Sequence, residues 1–337
     1  MERTSILITA VLSVGITGVL GFWMIPWLKR LKYGQTINEI GPNWHKAKQG
    51  TPTMGGLMFI IGILAALLVG YITLILEAPQ FLSAQYVTEN IRLFAGLGAA
   101  LCFGAIGFLD DYMKVVHKRN LGLTAKQKIL LQMVVCAVYL YIMNGFGACD
   151  TLVYLPFIGT YDFGVWYYIL SFILIVGMVN AVNLTDGIDG LASTVTFVVC
   201  LGFIIIATLL GYVGTSLLAT AVAGGCIGFL LWNFYPAKVF MGDTGSLFLG
   251  GAVIAMAYGV SLPALLIPIG IVYLCEAGSV MMQVTYFKLT HGKRIFKMTP
   301  IHHHFEMSGW SEIKIVTVFG LVTLIGCGIA VWSVLVK

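Results

Sequence analysis

The sequence predicts an all-α polytopic integral membrane protein with ten transmembrane helices, both termini outside and a short external β-hairpin. Three observations predict it. Of the 337 residues, 59% are hydrophobic and 10% charged, and the mean hydropathy is +0.95, whereas about a quarter of a soluble domain is charged. Apolar runs of about 20 residues, the length that crosses a bilayer as a helix, recur along the whole chain. The basic residues are also sorted: 16 of the 19 lysines and arginines fall in alternate loops, the asymmetry that orients membrane proteins.

The runs lie at 5–28, 54–76, 92–109, 128–144, 165–182, 191–211, 215–232, 246–262, 264–287 and 314–335. The first is long enough to span and is followed by no small-residue cleavage site, so it reads as a retained helix and not as a signal peptide. Lys29, Arg30, Lys32, Lys46 and Lys48 follow the first run, Lys114, Lys118, Arg119, Lys126 and Lys128 the third, Lys238 the seventh, and Lys288, Lys293, Arg294, Lys297 and Lys314 the ninth. Only Arg3, Arg92 and Lys337 remain for the other side, which puts the loops after odd-numbered spans in the cytoplasm.

Between the fourth and fifth spans, 151–163 is rich in β-formers and reads as the external hairpin, with Gly159 and Thr160 as turn candidates. The ninth span carries Pro263, Pro268, Glu276, Gly278 and Gln283, and a bend is expected near Gly278, with Glu276 taking a hydrogen bond from a neighbour. Seven scattered cysteines show no CxxC or Cys/His spacing and read as small core residues. There is no internal repeat or low-complexity linker, so residues 1–337 form a single integral membrane domain. A net charge of +5 without a soluble domain to carry a basic face argues against nucleic acid.

Polar residues collect at the cytoplasmic ends of the spans, where they are costly unless they bind something. Asn180, Asn183, Asp186 and Asp189 recur every three residues. On a continuous helix that spacing drifts about 60° per step, so the helix is expected to stop, with Gly187 and Gly190 supplying the break. Asp186 or Asp189 would then cap the next helix, and all four side chains would face one cavity. Asp110 and Asp111 end the third span, with Lys114 on the face of Asp110. The turn Phe240-Met241-Gly242-Asp243-Thr244-Gly245-Ser246 precedes the eighth, and its glycines, hydroxyls and helix start suit phosphate, with Asp243 able to hold Mg²⁺.

Gly50-Thr51-Pro52-Thr53-Met54-Gly55-Gly56 opens the second span behind Lys46 and Lys48, a capped helix start by itself and another wall of a phosphate site beside the other stretches. Phe240, at the start of the turn before the eighth span, offers a flat apolar ring on the same face. His302, His303 and His304 are consecutive, which makes zinc ligation by all three geometrically awkward, and hydrogen bonds to phosphate or sugar are the better reading.

Together these stretches closely resemble the polyprenyl-phosphate N-acetylhexosamine-1-phosphate transferases and, through the histidine triplet, the phospho-N-acetylmuramoyl-pentapeptide transferases, the MraY family. The resemblance covers essentially the whole chain and implies a multi-pass enzyme of the bacterial plasma (inner) membrane with its active site on the cytoplasmic face. It implies transfer of phospho-MurNAc-pentapeptide from UDP-MurNAc-pentapeptide to undecaprenyl phosphate, giving lipid I and UMP in peptidoglycan synthesis, with Mg²⁺ required and a homodimer expected. Carried over by motif, Asp110, Asp111 and Asp243 are the catalytic set, Asp243 as Mg²⁺ ligand with Asp111 as a second candidate, and Asp110 as the base that readies the lipid phosphate. Asn183, Asp186 and Asp189 would hold nucleotide, metal or diphosphate, and Lys48, Lys114 and Lys126 would neutralise phosphate charge. His302, His303 and His304 would contact the donor's diphosphate or sugar, with Thr53, Asn180, Asn233, Phe240 and Gln283 completing the substrate-binding set.

Two other readings compete. A GlcNAc-1-phosphate transferase acting on the same lipid is opposed by the histidine triplet. A transporter with broken helices should place its charges near the bilayer midplane between repeats, whereas these carboxylates gather at one face.

Overall fold

The computed structural model describes residues 2–30, 48, 50–116 and 122–337. Lys32, Lys46, Lys118 and Arg119 lie outside the described residues.

The helices are α1 (Glu2–Arg30), α2 (Gly56–Glu77), α3 (Val87–Val116), α4 (Ala125–Gly145), α5 (Val165–Thr185), α6 (Leu191–Leu210), α7 (Val213–Asn233), α8 (Gly242–Gly259), α9 (Leu266–Ile269), α10 (Ile271–Leu289), α11 (Ile301–Glu306) and α12 (Glu312–Leu335). Strands β1 (Leu152–Leu155) and β2 (Gly159–Asp162) pair antiparallel between α4 and α5, in the register Leu155↔Gly159. The hairpin is where the sequence puts it, but its turn is residues 156–158, with Phe157 at φ 63, and Gly159 and Thr160 already belong to β2. Tyr154 Oη donates to the carbonyl of Ser333, and the Lys337 ammonium lies over the Tyr154 ring, so the end of α12 docks on the hairpin.

Eight of the described helices are long and apolar enough to cross a membrane, and nine if α9 and α10, bent by 80° at Gly270, are one span. The helix read as the eighth span, α8, is not among them, for a physical reason. It begins with Gly242 and Asp243, is rich in small residues, and is buried continuously from Thr244 to Gly259. A helix ringed by other helices meets little lipid and needs close packing more than apolarity. The bend expected near Gly278 is at Gly270 instead. Gly270 closes α9, its amide bonded to the Leu266 carbonyl, and α10 starts afresh at Ile271, while Gly278 lies in unbroken α10.

Close approach is what the glycines of this bundle provide. A β-carbon at Gly96, Gly104 or Gly107 of α3 would run into Ala255, Phe248 or the Asp243 carbonyl of α8. On α1, Ser5, Thr9, Ser13 and Thr17 recur every four residues on one buried stripe. Gly62 and Gly70 of α2 pack on Thr17 and Thr9, and Ser13 donates to the Ala221 carbonyl of α7. Hydroxyls bonded within or between helices are the polar glue a bilayer allows.

Candidate active site

The candidate side chains come from helix ends, the C-terminal ends of α3, α5, α7 and α10 and the N-terminal ends of α4, α6, α8 and α12, which the bundle gathers together. The described cysteines are all free, and four of them (Cys136, Cys200, Cys226 and Cys327) are buried as packing residues.

At the centre, carboxylate oxygens of Asp110, Asp111 and Asp243 all lie within 4.8 Å of one another. Asp110 and Asp111 are buried in the last turns of α3, and their side chains diverge as neighbours on a helix must. Asp111 turns to α8: its Oδ2 accepts from the Thr244 amide at 2.9 Å and the Thr244 hydroxyl at 2.7 Å, and its Oδ1 from the Asp243 amide at 3.3 Å. Gly242, at φ 69, has room for no β-carbon, because Asp111 Oδ2 and Thr53 Oγ1 fill the space. Asp110 Oδ1 accepts from the Leu123 amide at 2.7 Å, tying α3 to the start of α4.

Two ammoniums join these acids. Lys114 Nζ lies 2.5 Å from Asp110 Oδ2 and 3.1 Å from Asp243 Oδ2, on the face of Asp110 as its spacing predicts. Lys128 Nζ lies 2.5 Å from Asp243 Oδ2 and 3.1 Å from Asp110 Oδ2. Lys128 was not among the expected site residues, whereas Lys126, which was, is exposed and makes no ion pair among the described residues. The signal was available: Thr124 and Gln127 form a capping box that starts α4 at Ala125. Residues 126 and 128 then point about 200° apart, so only one can face Asp110.

The expectation that Asn180, Asn183, Asp186 and Asp189 share a cavity is corrected. The helix α5 continues to Thr185, so Asn180 and Asn183 lie one turn apart and about 60° around it, and they reach different partners. Asn180 exchanges hydrogen bonds with Gln132 of α4, whereas Asn183 Nδ2 donates to Asp243 Oδ1 at 3.0 Å and Ser246 Oγ at 2.7 Å. The break falls at 186–190, and Gly190, at φ 75, precedes α6 with no side-chain cap from either aspartate. Asp186 is half-buried at the end of α5. Desolvation, with the negative charges of Asp243, Asp111 and Asp189, pushes its carboxyl up to about 8.

Asp189 belongs to a second cluster. Its Oδ1 meets Lys48 Nζ at 2.7 Å and its Oδ2 accepts from the Ala237 amide at 2.8 Å. Glu312, absent from the sequence reading, takes Lys48 Nζ at 2.7 Å and the Asp189 amide at 3.0 Å on the same Oε2. Burial works against the charge of Lys48, but its hydrogen bonds to Asp189 and Glu312 raise its pKa above the usual lysine value. These three residues line a cavity of about 590 Å³ with Thr51, Tyr235 and Trp310. Asn233 closes the junction behind it, its Oδ1 accepting from the Gly190 amide and Ser193 and its Nδ2 donating to the Val239 carbonyl.

The three histidines take different partners, although the rings of His302 and His303 lie 4.1 Å apart. His302 is fully buried, with Nδ1 3.0 Å from Glu276, the neighbour that the polar break in the ninth span called for. His303 Nδ1 pairs with Glu306 at 2.6 Å, and His304 Nδ1 accepts from the Lys297 amide at 3.2 Å. Gln283 Oε1 accepts from the amides of Ile295 and Phe296 and so shapes the loop before them. Phe240 is half-buried on a fixed backbone, its amide bonded to the Pro52 carbonyl and its carbonyl to the Gly55 amide.

The acid cluster fits a hard divalent cation. Its donors are carboxylate oxygens alone, without sulfur or imidazole, and they converge within the span of one coordination sphere. Three carboxylates and two ammoniums also leave a small net negative charge, so a dication and a diphosphate could enter together with their charges nearly balanced.

Residues 93–261 match the model of glycosyl transferase family 4, and residues 48–60 match phospho-N-acetylmuramoyl-pentapeptide-transferase signature 1. The chain is 47% identical over 321 residues to the phospho-N-acetylmuramoyl-pentapeptide-transferase of Heliobacterium modesticaldum, covering 95% of this chain and 94% of that one. It is 45% identical to the enzyme of that name from Halalkalibacterium halodurans, covering 98% of both chains. Against that of Listeria monocytogenes serotype 4b the identity is 46% over 92% of both. On this similarity over nearly its full length, the chain belongs to the phospho-N-acetylmuramoyl-pentapeptide-transferase family.

Proposed function

We propose that this membrane transferase moves phospho-MurNAc-pentapeptide from its UDP carrier to undecaprenyl phosphate, giving lipid I and UMP, with Mg²⁺, at the cytoplasmic face of the bacterial plasma membrane. The observation that carries it is the meeting of Asp110, Asp111, Asp243, Lys114 and Lys128 at one end of a membrane bundle. A cytoplasmic nucleotide sugar and a lipid phosphate can meet only at such a boundary.

The donor diphosphate lies against Lys114 and Lys128, and the lipid phosphate enters beside Asp110. An oxygen of the lipid phosphate forms a bond to the sugar-bearing phosphorus of the donor as the bond to UMP breaks, with Asp110 holding any proton on the attacking group. Asp243 and Asp111 would hold Mg²⁺, which would neutralise diphosphate charge and favour departure of UMP. One phosphoanhydride replaces another, so positioning and charge neutralisation suffice. Phe240, on its fixed backbone, stacks on uracil. Asp189 and Lys48 hold the donor from the adjoining cavity, and His303 and His304 meet its diphosphate or sugar.

In the membrane, α8 and the bent α9–α10 pair complete ten crossings, with the termini and hairpin outside. The chain forms one domain and works as a homodimer. The test is a turnover assay in detergent with Mg²⁺ or EDTA. UDP-MurNAc-pentapeptide with undecaprenyl phosphate should release UMP only with Mg²⁺, and turnover of UDP-GlcNAc in its place would overturn the donor assignment.

A further inference from the structure

Glu312 stands outside the acid cluster and outside every motif that carries the family resemblance, yet it joins three distant segments. Its Oε2 receives Lys48 Nζ, from the approach to α2, at 2.7 Å and the Asp189 amide, from the α5–α6 break, at 3.0 Å, while Glu312 itself opens α12 after the histidine loop. The side chains of Lys48, Asp189 and Glu312 are only 17%, 2% and 10% exposed. A carboxylate in the first turn of a helix is stabilised by the free amides there, so Glu312 is a fixed anchor rather than a mobile counter-ion.

Lys48 has four flexible side-chain bonds, and Asp189 alone would draw its ammonium toward Ala237, which already holds the other oxygen of Asp189. The second carboxylate keeps the ammonium at the rim of the 590 Å³ cavity that all three residues line. It also fixes the main chain of the residue between Ile188 and Gly190, so that both donor-holding groups are set before the donor arrives. Partly buried charge pairs of this kind act most strongly when neither partner is left uncompensated.

We propose that Glu312 is a positioning residue for donor binding, holding the Lys48 ammonium and the Asp189 backbone in the arrangement that receives the nucleotide sugar. This rests on the donor reading given under the proposed function. Glu312 touches no reacting atom, so its loss acts on donor affinity and not on the chemical step.

The experiment is steady-state turnover of the purified full chain with both substrates varied, together with calorimetric UMP binding, for Glu312→Ala, Glu312→Gln, Lys48→Ala and Lys48→Ala/Glu312→Ala. Glu312→Ala should raise the donor KM about tenfold, with kcat and the lipid-phosphate KM held within about twofold. Its UMP affinity should weaken in parallel. Glu312→Gln, which can still accept from the Asp189 amide, should recover part of the loss. The double variant should lose less donor affinity than the two single losses combined, the remaining cost over Lys48→Ala being the part carried through the Asp189 amide.

Unchanged UMP affinity in Glu312→Ala, effects of Glu312 and Lys48 that add, or an equal loss in kcat and both KM values would overturn the proposal. Wild-type turnover decides the donor assignment separately: a preference for UDP-GlcNAc would refute that reading, while the UMP arm still decides the role of Glu312.

Discussion

His302 presses the Nε2 edge of its imidazole against the backbone of Gly187, so closely that a β-carbon on residue 187 would overlap the ring. The other nitrogen of that ring is held by Glu276, so the ring cannot retreat. Gly187 is needed for this contact and not for a left-handed backbone, which belongs to Gly190.

Gly187→Ala should therefore displace either the break or the histidine loop, costing about 1–3 kcal/mol as overpacking does and lowering turnover by at least about tenfold. Thermal unfolding in detergent reads the first effect. A smaller residue at 302, as in Gly187→Ala/His302→Ser, should relieve the overlap, and a double variant less stable than both singles would refute the explanation.

Asp243→Ala should abolish turnover and the dependence of nucleotide binding on Mg²⁺, because this carboxylate is shared by both ammoniums and by Asn183. Titration of Mg²⁺ followed by UMP binding measures it. Wild-type Mg²⁺ dependence in this variant would remove Asp243 from the metal site.

Lys128→Ala should cost at least about a hundredfold in kcat/KM, the order expected when one electrostatic contact at a transferring phosphate is lost. Lys126→Ala, two residues away, should stay within about threefold of wild type. Equal losses at the two positions would contradict the orientation of α4.

Asp186 gives a pH signature. Its ordinary value is 3.8 and in the folded protein it lies at about 8, so between those values the folded chain keeps a proton that the unfolded chain has lost. The stability Asp186 contributes is complete below pH 4 and falls as pH rises toward 8. Thermal midpoints without divalent cations should decline across that window, and Asp186→Asn should flatten the decline. Added Mg²⁺ should flatten it too, by offsetting the neighbouring charges.

Direct displacement predicts that UDP-MurNAc-pentapeptide and radiolabelled UMP exchange no label until lipid phosphate is supplied. A covalent carboxylate intermediate, with Asp243 as nucleophile, would allow exchange without lipid. Lipid-free exchange at a rate near turnover, in enzyme stripped of residual polyprenyl phosphate, would decide for the covalent route.

The sequence reveals what obeys a strong period. The apolar runs locate the long helices, and the four-residue spacing of Asp110 and Lys114 places them together. It does not reveal which residues meet across the bundle. Glu312 and Lys48 are 264 residues apart, and nothing local marks either as the partner of the other. Asn180 and Asn183 look equivalent in the chain, yet one reaches Gln132 of α4 and the other, one turn further along α5, reaches Asp243, a difference set by which helix packs beside each turn. The sequence points to a bend near Gly278 because Glu276 makes the chain there look broken, whereas that glutamate is the buried partner of His302 and the bend lies at Gly270.

The grip of Asp111 on the amides of Asp243 and Thr244 has a further consequence. The first turn of α8 has no capping side chain of its own and borrows one made 132 residues earlier in the chain. Asp111 of α3 thus serves as a splint for the turn that carries Asp243. An inactive Asp111→Ala enzyme would then be first a failure of assembly, and Asp111→Asn, which keeps an oxygen for the Thr244 amide, is the variant that separates building the site from using it.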